Sequence, residues 1–319
     1  MTPSIQKIIK NKILENYIEY QFLFVEFQSK FLSGLHTRYQ GIENGNLTLY
    51  FAKQVHQDIL RKKDYDFNCN ISKKNFWENH YETNPIQKSI TKIAEDTLLP
   101  KETTRRKILQ LMKQKILNKK NRNIMWMPNE QYKQSYNLVI KEEIEGVAKL
   151  ISFVCQKLNY SISNEAVMKD LEEKFSFYWF HYLGAQLKYL KLWTKQINDI
   201  ELVLILLQVS HLSIKKLKNK KLSHENVFTD SSLHKDFISA SISATSISQV
   251  SNIPRATCVR KLQTLLKLKI LAQDKSSKRY YMIPKAISES FISQKITKNI
   301  VEIFSDFFFI CIRAMNVKT

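Results

Sequence analysis

The chain has 319 residues, 44% of them hydrophobic, and a formal net charge of +21 from 50 Lys/Arg against 29 Asp/Glu. That length allows two domains with a core each, and the apolar content is too high for a disordered chain. Only 5 Gly and 6 Pro occur, with no G-x-G or G-K-[ST] stretch, which excludes Gly-rich phosphate loops and favours a mostly helical fold.

In chain order, an aromatic stretch "QFLFVEFQSKFLSGL" (from Gln21) predicts a first helix and "LTLYFAKQVHQDIL" (from Leu47) a buried second one. A polar loop follows over Lys62 to Asn84. Ser89 to Thr97 predicts a short helix with Ile90, Ile93 and Ala94 on one face. Pro100 then holds Leu99 extended and starts the next helix, Lys101 to about Lys115. There Thr104, Ile108, Leu111 and Met112 form the inward stripe, leaving Thr103, Arg106, Lys107, Gln110 and Lys113 outward. "NKKNRNIMWMP" (from Asn118) reads as a short basic hairpin anchored by Trp126. A long amphipathic helix with Val147, Leu150, Ile151 and Val154 on one face completes the series.

The series then starts again after Lys157 to Asn164. "KFSFYWFHYLGAQL" (from Lys174) is the aromatic helix, "ELVLILLQVSHLSI" (from Glu201) the buried one, and Lys218 to Asp236 the polar loop. In the basic helix from Arg255, Cys258, Leu262, Leu265 and Leu266 lie inward, and Thr257, Arg260, Lys261, Thr264 and Lys267 outward. "QDKSSKRYYMIP" (from Gln273) is the hairpin, anchored by Tyr280. Ile300, Ile303, Phe304, Phe307 and Ile310 mark the last helix.

Sliding the chain by 154 residues gives 11 identities across the 28 positions from 90 to 117, without a gap, and the same register is expected upstream through Leu49/Val203 and Gln54/Gln208. Downstream, Pro128 matches Pro284. From Lys101 to Arg122 the net charge is +8, and from Arg255 to Arg279 it is +7, so most of the excess sits on the repeated passage. A focused cationic surface attracts polyanions; solvated lysines in a Lys-rich chain are the plainer alternative. Outward Thr and Arg on an amino-terminal helical half suit a DNA groove, with Arg able to read guanine and Thr or Lys to hold phosphate.

The passage "IAEDTLLPKETTRRKILQLMKQKIL" (from Ile93), with its hairpin, resembles the winged helix-turn-helix of bacterial transcription regulators. The helix order around it is similar to the MarR-type group. The resemblance implies a mainly α fold with small β-wings, in two tandem winged helix-turn-helix modules. These would be 1–160 (helix-turn-helix about 89–128) and 161–319 (about 243–284), forming an intramolecular pseudo-dimer. The implied function is a sequence-specific, double-stranded DNA-binding transcription regulator with two recognition helices in successive major grooves, about 30–35 Å apart.

On that reading Thr103, Arg106, Thr257 and Arg260 read bases, and Lys119, Lys120, Arg122, Lys275, Lys278 and Arg279 neutralise phosphates. Lys101, Arg105, Lys107, Gln110, Arg255, Lys261 and Thr264 complete the interface. A tandem winged-helix replication initiator, and a structural module that uses winged helices for protein–protein contacts, are the alternatives. No nucleophile or carboxylate pair suggests an enzyme. Cys69, Cys155, Cys258 and Cys311 are scattered without ligand spacing, so neither metal nor cofactor is expected. No export signal is apparent, and the runs "LVLILL" and "FFFICI" are too short to cross a bilayer. A cytoplasmic, nucleoid-associated protein without a membrane partner is expected, as a monomeric pseudo-dimer or a homodimer; the sequence names no small-molecule effector.

Overall fold

A computed structural model of the protein describes residues 4–62, 71–81, 83–86, 88–120, 123–197, 199–283 and 294–316. Cys69, Arg122 and Pro284 lie outside the described residues. Among those described, the chain is mostly helical with two small antiparallel hairpins. The first half contains α1 (Ile5–Glu15), α2 (Tyr17–Tyr39), α3 (Ile42–Lys62), α4 (Phe76–Tyr81), α5 (Ile90–Thr97), α6 (Lys101–Lys113), β1 (Leu117–Lys120), β2 (Asn123–Trp126) and α7 (Glu130–Lys157). The second contains α8 (Asn164–Glu173), α9 (Phe175–Gln196), α10 (Ile200–Leu217), α11 (His224–Thr229), α12 (His234–Ser239), α13 (Ala244–Ser251), α14 (Arg255–Lys267), β3 (Leu271–Gln273), β4 (Tyr280–Met282) and α15 (Gln294–Ala314). The polar loops expected at Lys62 to Asn84 and Lys218 to Asp236 are corrected in part. The first carries α4, and the second carries α11 and the start of α12, because Phe76, Val227, Leu233 and Phe237 are buried and fold these segments down.

The chain forms two compact units, and each is built from two separate segments. Unit 1 takes residues up to Thr37 and Leu192–Asp306; unit 2 takes Arg38–Lys191 and the residues from Phe307 on. The sequence repeat and the compact units therefore partition the chain differently. The aromatic helix α2 of the first repeat belongs with α10–α14 of the second, and most of α9 belongs with α3–α7 of the first.

Within unit 1, α2 packs its aromatic face on α10, α11 and α15. Phe22 stacks on His211 at 6.0 Å, Tyr17 meets His224 edge-on at 4.8 Å, and Phe24 meets Phe304 at 4.8 Å. Lys218 caps the Phe22 ring at 4.2 Å. Within unit 2, α9 makes the matching contacts on α3. Phe175 meets His56 at 5.4 Å and Lys53 lies 4.7 Å from the Phe180 ring. Each such helix needs a face to bury, since one amphipathic helix is marginal in water. An aromatic box of Phe76, Trp77, His80, Trp126 and Tyr136 seals unit 2 beneath its hairpin. Burial, and then the neighbouring His80, pushes the His56 imidazole down to about 3, while burial holds His80 near 4.

Candidate nucleic-acid interface

The two basic helices are held by the same local devices. Ser89 and Ser243 cap α5 and α13, each hydroxyl accepting an amide hydrogen bond at 3.1 Å from Lys92 and Ser246. Both short helices end on a left-handed residue, Leu98 (φ 55°) and Asn252 (φ 56°), and Pro100 and Pro254 lead into α6 and α14. The Thr97 and Ser251 hydroxyls each donate to a carbonyl four residues back, at 2.7 Å. After the basic helices, Lys115 and Lys269 are again left-handed (φ 56° each), and the amides of Ile116 and Ile270 return to the carbonyls of Leu111 and Leu265.

Hairpins follow both helices. Leu117 pairs with Trp126 and Lys120 with Asn123 in one; Leu271 pairs with Met282 and Gln273 with Tyr280 in the other. Ile242, just before α13, adds a backbone bridge to Tyr280. Trp126 and Tyr280 are buried, as their anchoring role requires. The second hairpin turns through Asp274, whose carboxylate accepts from the Ser276 hydroxyl and the Ser277 amide at 2.7 Å each. Hydrogen bonds from Ser277, then Ser276, hold that carboxyl at about 2. Lys275, Lys278 and Arg279 are exposed around this turn.

Burial of Thr104, Ile108 and Leu111 in α6, and of Cys258, Leu262 and Leu265 in α14, defines the inner side of each helix. On α6, Lys101, Glu102, Arg105, Arg106, Leu109 and Lys113 are exposed, with Thr103 and Gln110 half-buried. On α14, Arg255, Ala256, Arg260, Gln263, Thr264 and Lys267 are exposed, with Thr257 and Val259 half-buried. The Arg255 Nε donates to the Thr245 hydroxyl at 3.3 Å. Lys119 is exposed and Lys120 half-buried on β1. At 100° per residue, Glu102, Arg106, Leu109 and Lys113 share the outermost stripe of α6, and Ala256, Arg260, Gln263 and Lys267 that of α14. Leu109 (58% exposed) and Gln263 were not among the expected interface residues; their three-residue spacing from Arg106 and Arg260 is the signal that finds them.

Two expected interface lysines are not outward, which corrects that placement. Lys107 pairs with Glu43 at 3.0 Å with 15% of its side chain exposed. Lys261, 8% exposed, pairs with Glu201 at 2.9 Å and with Asp199. Glu201 in turn lies 3.4 Å from the His36 ring. Each lysine sits at the edge of the apolar stripe, where the amino-terminal carboxylate of α3 or α10 reaches it. These pairs also correct the upstream register: Glu43 and Glu201 are 158 residues apart, not 154, as are Ile42 and Ile200 at the starts of α3 and α10.

Among the described residues, no group of three or more His, Cys, Asp or Glu could hold a metal ion, and Cys155, Cys258 and Cys311 are buried free thiols. No single helix among them is long and apolar enough to cross a membrane. Comparison of the chain with protein-family models, with curated proteins and with solved structures returns no match.

Proposed function

We propose that the chain is a sequence-specific, double-stranded DNA-binding transcription regulator. The α5–α6–β1–β2 and α13–α14–β3–β4 assemblies act as winged helix-turn-helices that present α6 and α14 to successive major grooves. One observation carries this reading. Both copies of the basic helix bury an apolar stripe, Thr104, Ile108 and Leu111 in one and Cys258, Leu262 and Leu265 in the other, and leave Thr103/Thr257, Arg106/Arg260 and Lys113/Lys267 at the same accessible positions. Outward hydroxyl and guanidinium groups in that order suit the phosphates and base edges of a DNA groove. Lys119, Lys120, Lys275, Lys278 and Arg279 on the hairpins supply phosphate contacts beside them.

The test is retention of a fragmented-genome DNA pool by the full chain at two salt concentrations. With about 6–10 phosphates neutralised, affinity falls roughly a thousandfold or more between 50 and 200 mM salt. Changing Arg106 and Arg260 together to Ala abolishes preferential retention. Binding that ignores salt, or a double variant that selects the same fragments equally well, refutes the proposal.

A further inference from the structure

Each candidate reading helix is held within its own unit by equivalent contacts, so their accessible residues can be compared position by position. Lys107 and Lys261 tie the same side of α6 and α14 to the start of α3 and α10, through Glu43 and Glu201. The caps and the left-handed exits also coincide. Against that common frame, the accessible positions fall into two sets. One set is shared: Thr103/Thr257, Arg106/Arg260 and Lys113/Lys267. The other changes in chemistry: Glu102/Ala256, Arg105/Val259, Leu109/Gln263 and Gln110/Thr264, while Lys101/Arg255 keeps its charge.

Resting on the DNA-binding reading above, we infer that α6 and α14 read half-sites of different base composition. Both read a guanine; beside it lie G·C pairs under α6 and A·T pairs under α14. The shared guanine follows from Arg106 and Arg260, whose guanidinium matches the O6 and N7 acceptors bidentately. Glu102, one turn earlier on the same stripe and exposed, can only accept hydrogen bonds when ionised. The cytosine N4 amino group meets it best, because the adenine N6 donor lies beside the N7 acceptor, which repels a carboxylate as the guanine acceptors and the thymine O4 do. Arg105 adds a second guanidinium next to it.

In α14 the equivalent positions carry no hydrogen-bonding group. Ala256 is exposed and Val259 half-buried, and both match the thymine C5-methyl. Gln263, exposed one turn on from Arg260, pairs bidentately with adenine N6 and N7. Leu109 holds that place in α6 and has no donor or acceptor, so the adenine met by Gln263 has no counterpart at the equivalent position of α6. The site is then intrinsically polar, with one G·C-rich and one A·T-containing end, and the chain docks on it in one direction.

The experiment is selection of bound duplexes from random DNA by the full chain and by the doubly substituted variant E102A/R105V. Both changed side chains are exposed, and circular dichroism verifies that the variant is folded. The wild type is expected to enrich two unlike half-sites sharing a guanine. The variant is expected to replace G·C by A·T beside that guanine in one half-site only, with about a tenfold change in preference there. Two matching half-sites, or a variant with unchanged preferences, overturn this inference while leaving DNA binding intact. If neither protein enriches any duplex, the DNA-binding reading falls and this one with it.

Discussion

Replacing Lys261 by Ala is expected to cost unit 1 about 2–3 kcal/mol, whereas replacing the equivalent Lys107 by Ala costs unit 2 about 1 kcal/mol or less. The difference follows from the surroundings. Lys261 is 8% exposed and faces two carboxylates, Asp199 and Glu201, that are 45% and 28% exposed. Removing one member of a buried pair costs about 3–5 kcal/mol, and the partial exposure of both acids brings that down. Lys107 has one partner, Glu43, which is 44% exposed and solvated almost as well without it. The His36 ring, then Lys261, holds the Glu201 carboxyl down to about 2 from its ordinary 4.5. That stabilisation is complete above about pH 4.5 and is lost as pH falls toward 2, so the penalty of K261A shrinks over the same window. Amide exchange in peptides from α10 and α14 reads the local opening, with roughly 30- to 140-fold faster exchange expected for K261A at neutral pH. On the proposed DNA-binding function, the salt slope of binding should not change, whereas loss of a phosphate contact would lower it by about one. A K107A penalty equal to that of K261A, or a reduced salt slope for K261A, refutes this reasoning.

Two further outcomes follow from the packing. A chain cut between residues 160 and 161 yields fragments that each lack a segment of the unit they mostly form: 1–160 lacks α9, and 161–319 lacks α1 and α2. Each alone is expected to show no cooperative thermal unfolding by circular dichroism, and coexpression to restore it; a fragment that melts cooperatively by itself contradicts the unit composition. His56, buried with both ring nitrogens unpaired and stacked 4.7 Å from Phe76, stays neutral in the fold down to about pH 3. The unfolded chain takes up that proton below its ordinary 6.5, so stability falls as pH drops from 6.5 toward 3. H56F is expected to retain about 2 kcal/mol more of its neutral-pH stability at pH 5 than the wild type retains of its own. Parallel stability–pH curves from urea titrations would disprove it.

Much of each basic assembly is legible in the sequence because its determinants are local. Ser89 and Ser243 cap, Pro100 and Pro254 restart the chain, and apolar residues at helical spacing mark the buried stripe. The hairpins follow from the basic tips and from Trp126 and Tyr280. α4 and α11 escaped because six-residue helices are too short to show a period; burial of Phe76 and Val227, with the His80–Trp126 hydrogen bond and the Ser223 cap, holds them.

Local sequence thus determined the repeat, the helix–proline–helix passages and the cationic character of their accessible faces, since caps, φ restriction and periodicity act within a few residues. Tertiary structure alone decided the rest. Lys107 and Lys261 turn inward because carboxylates some sixty residues earlier in the chain arrive beside them. The aromatic helices α2 and α9 join the opposite repeat because an apolar face specifies that it must be buried, not against which of two similar partners.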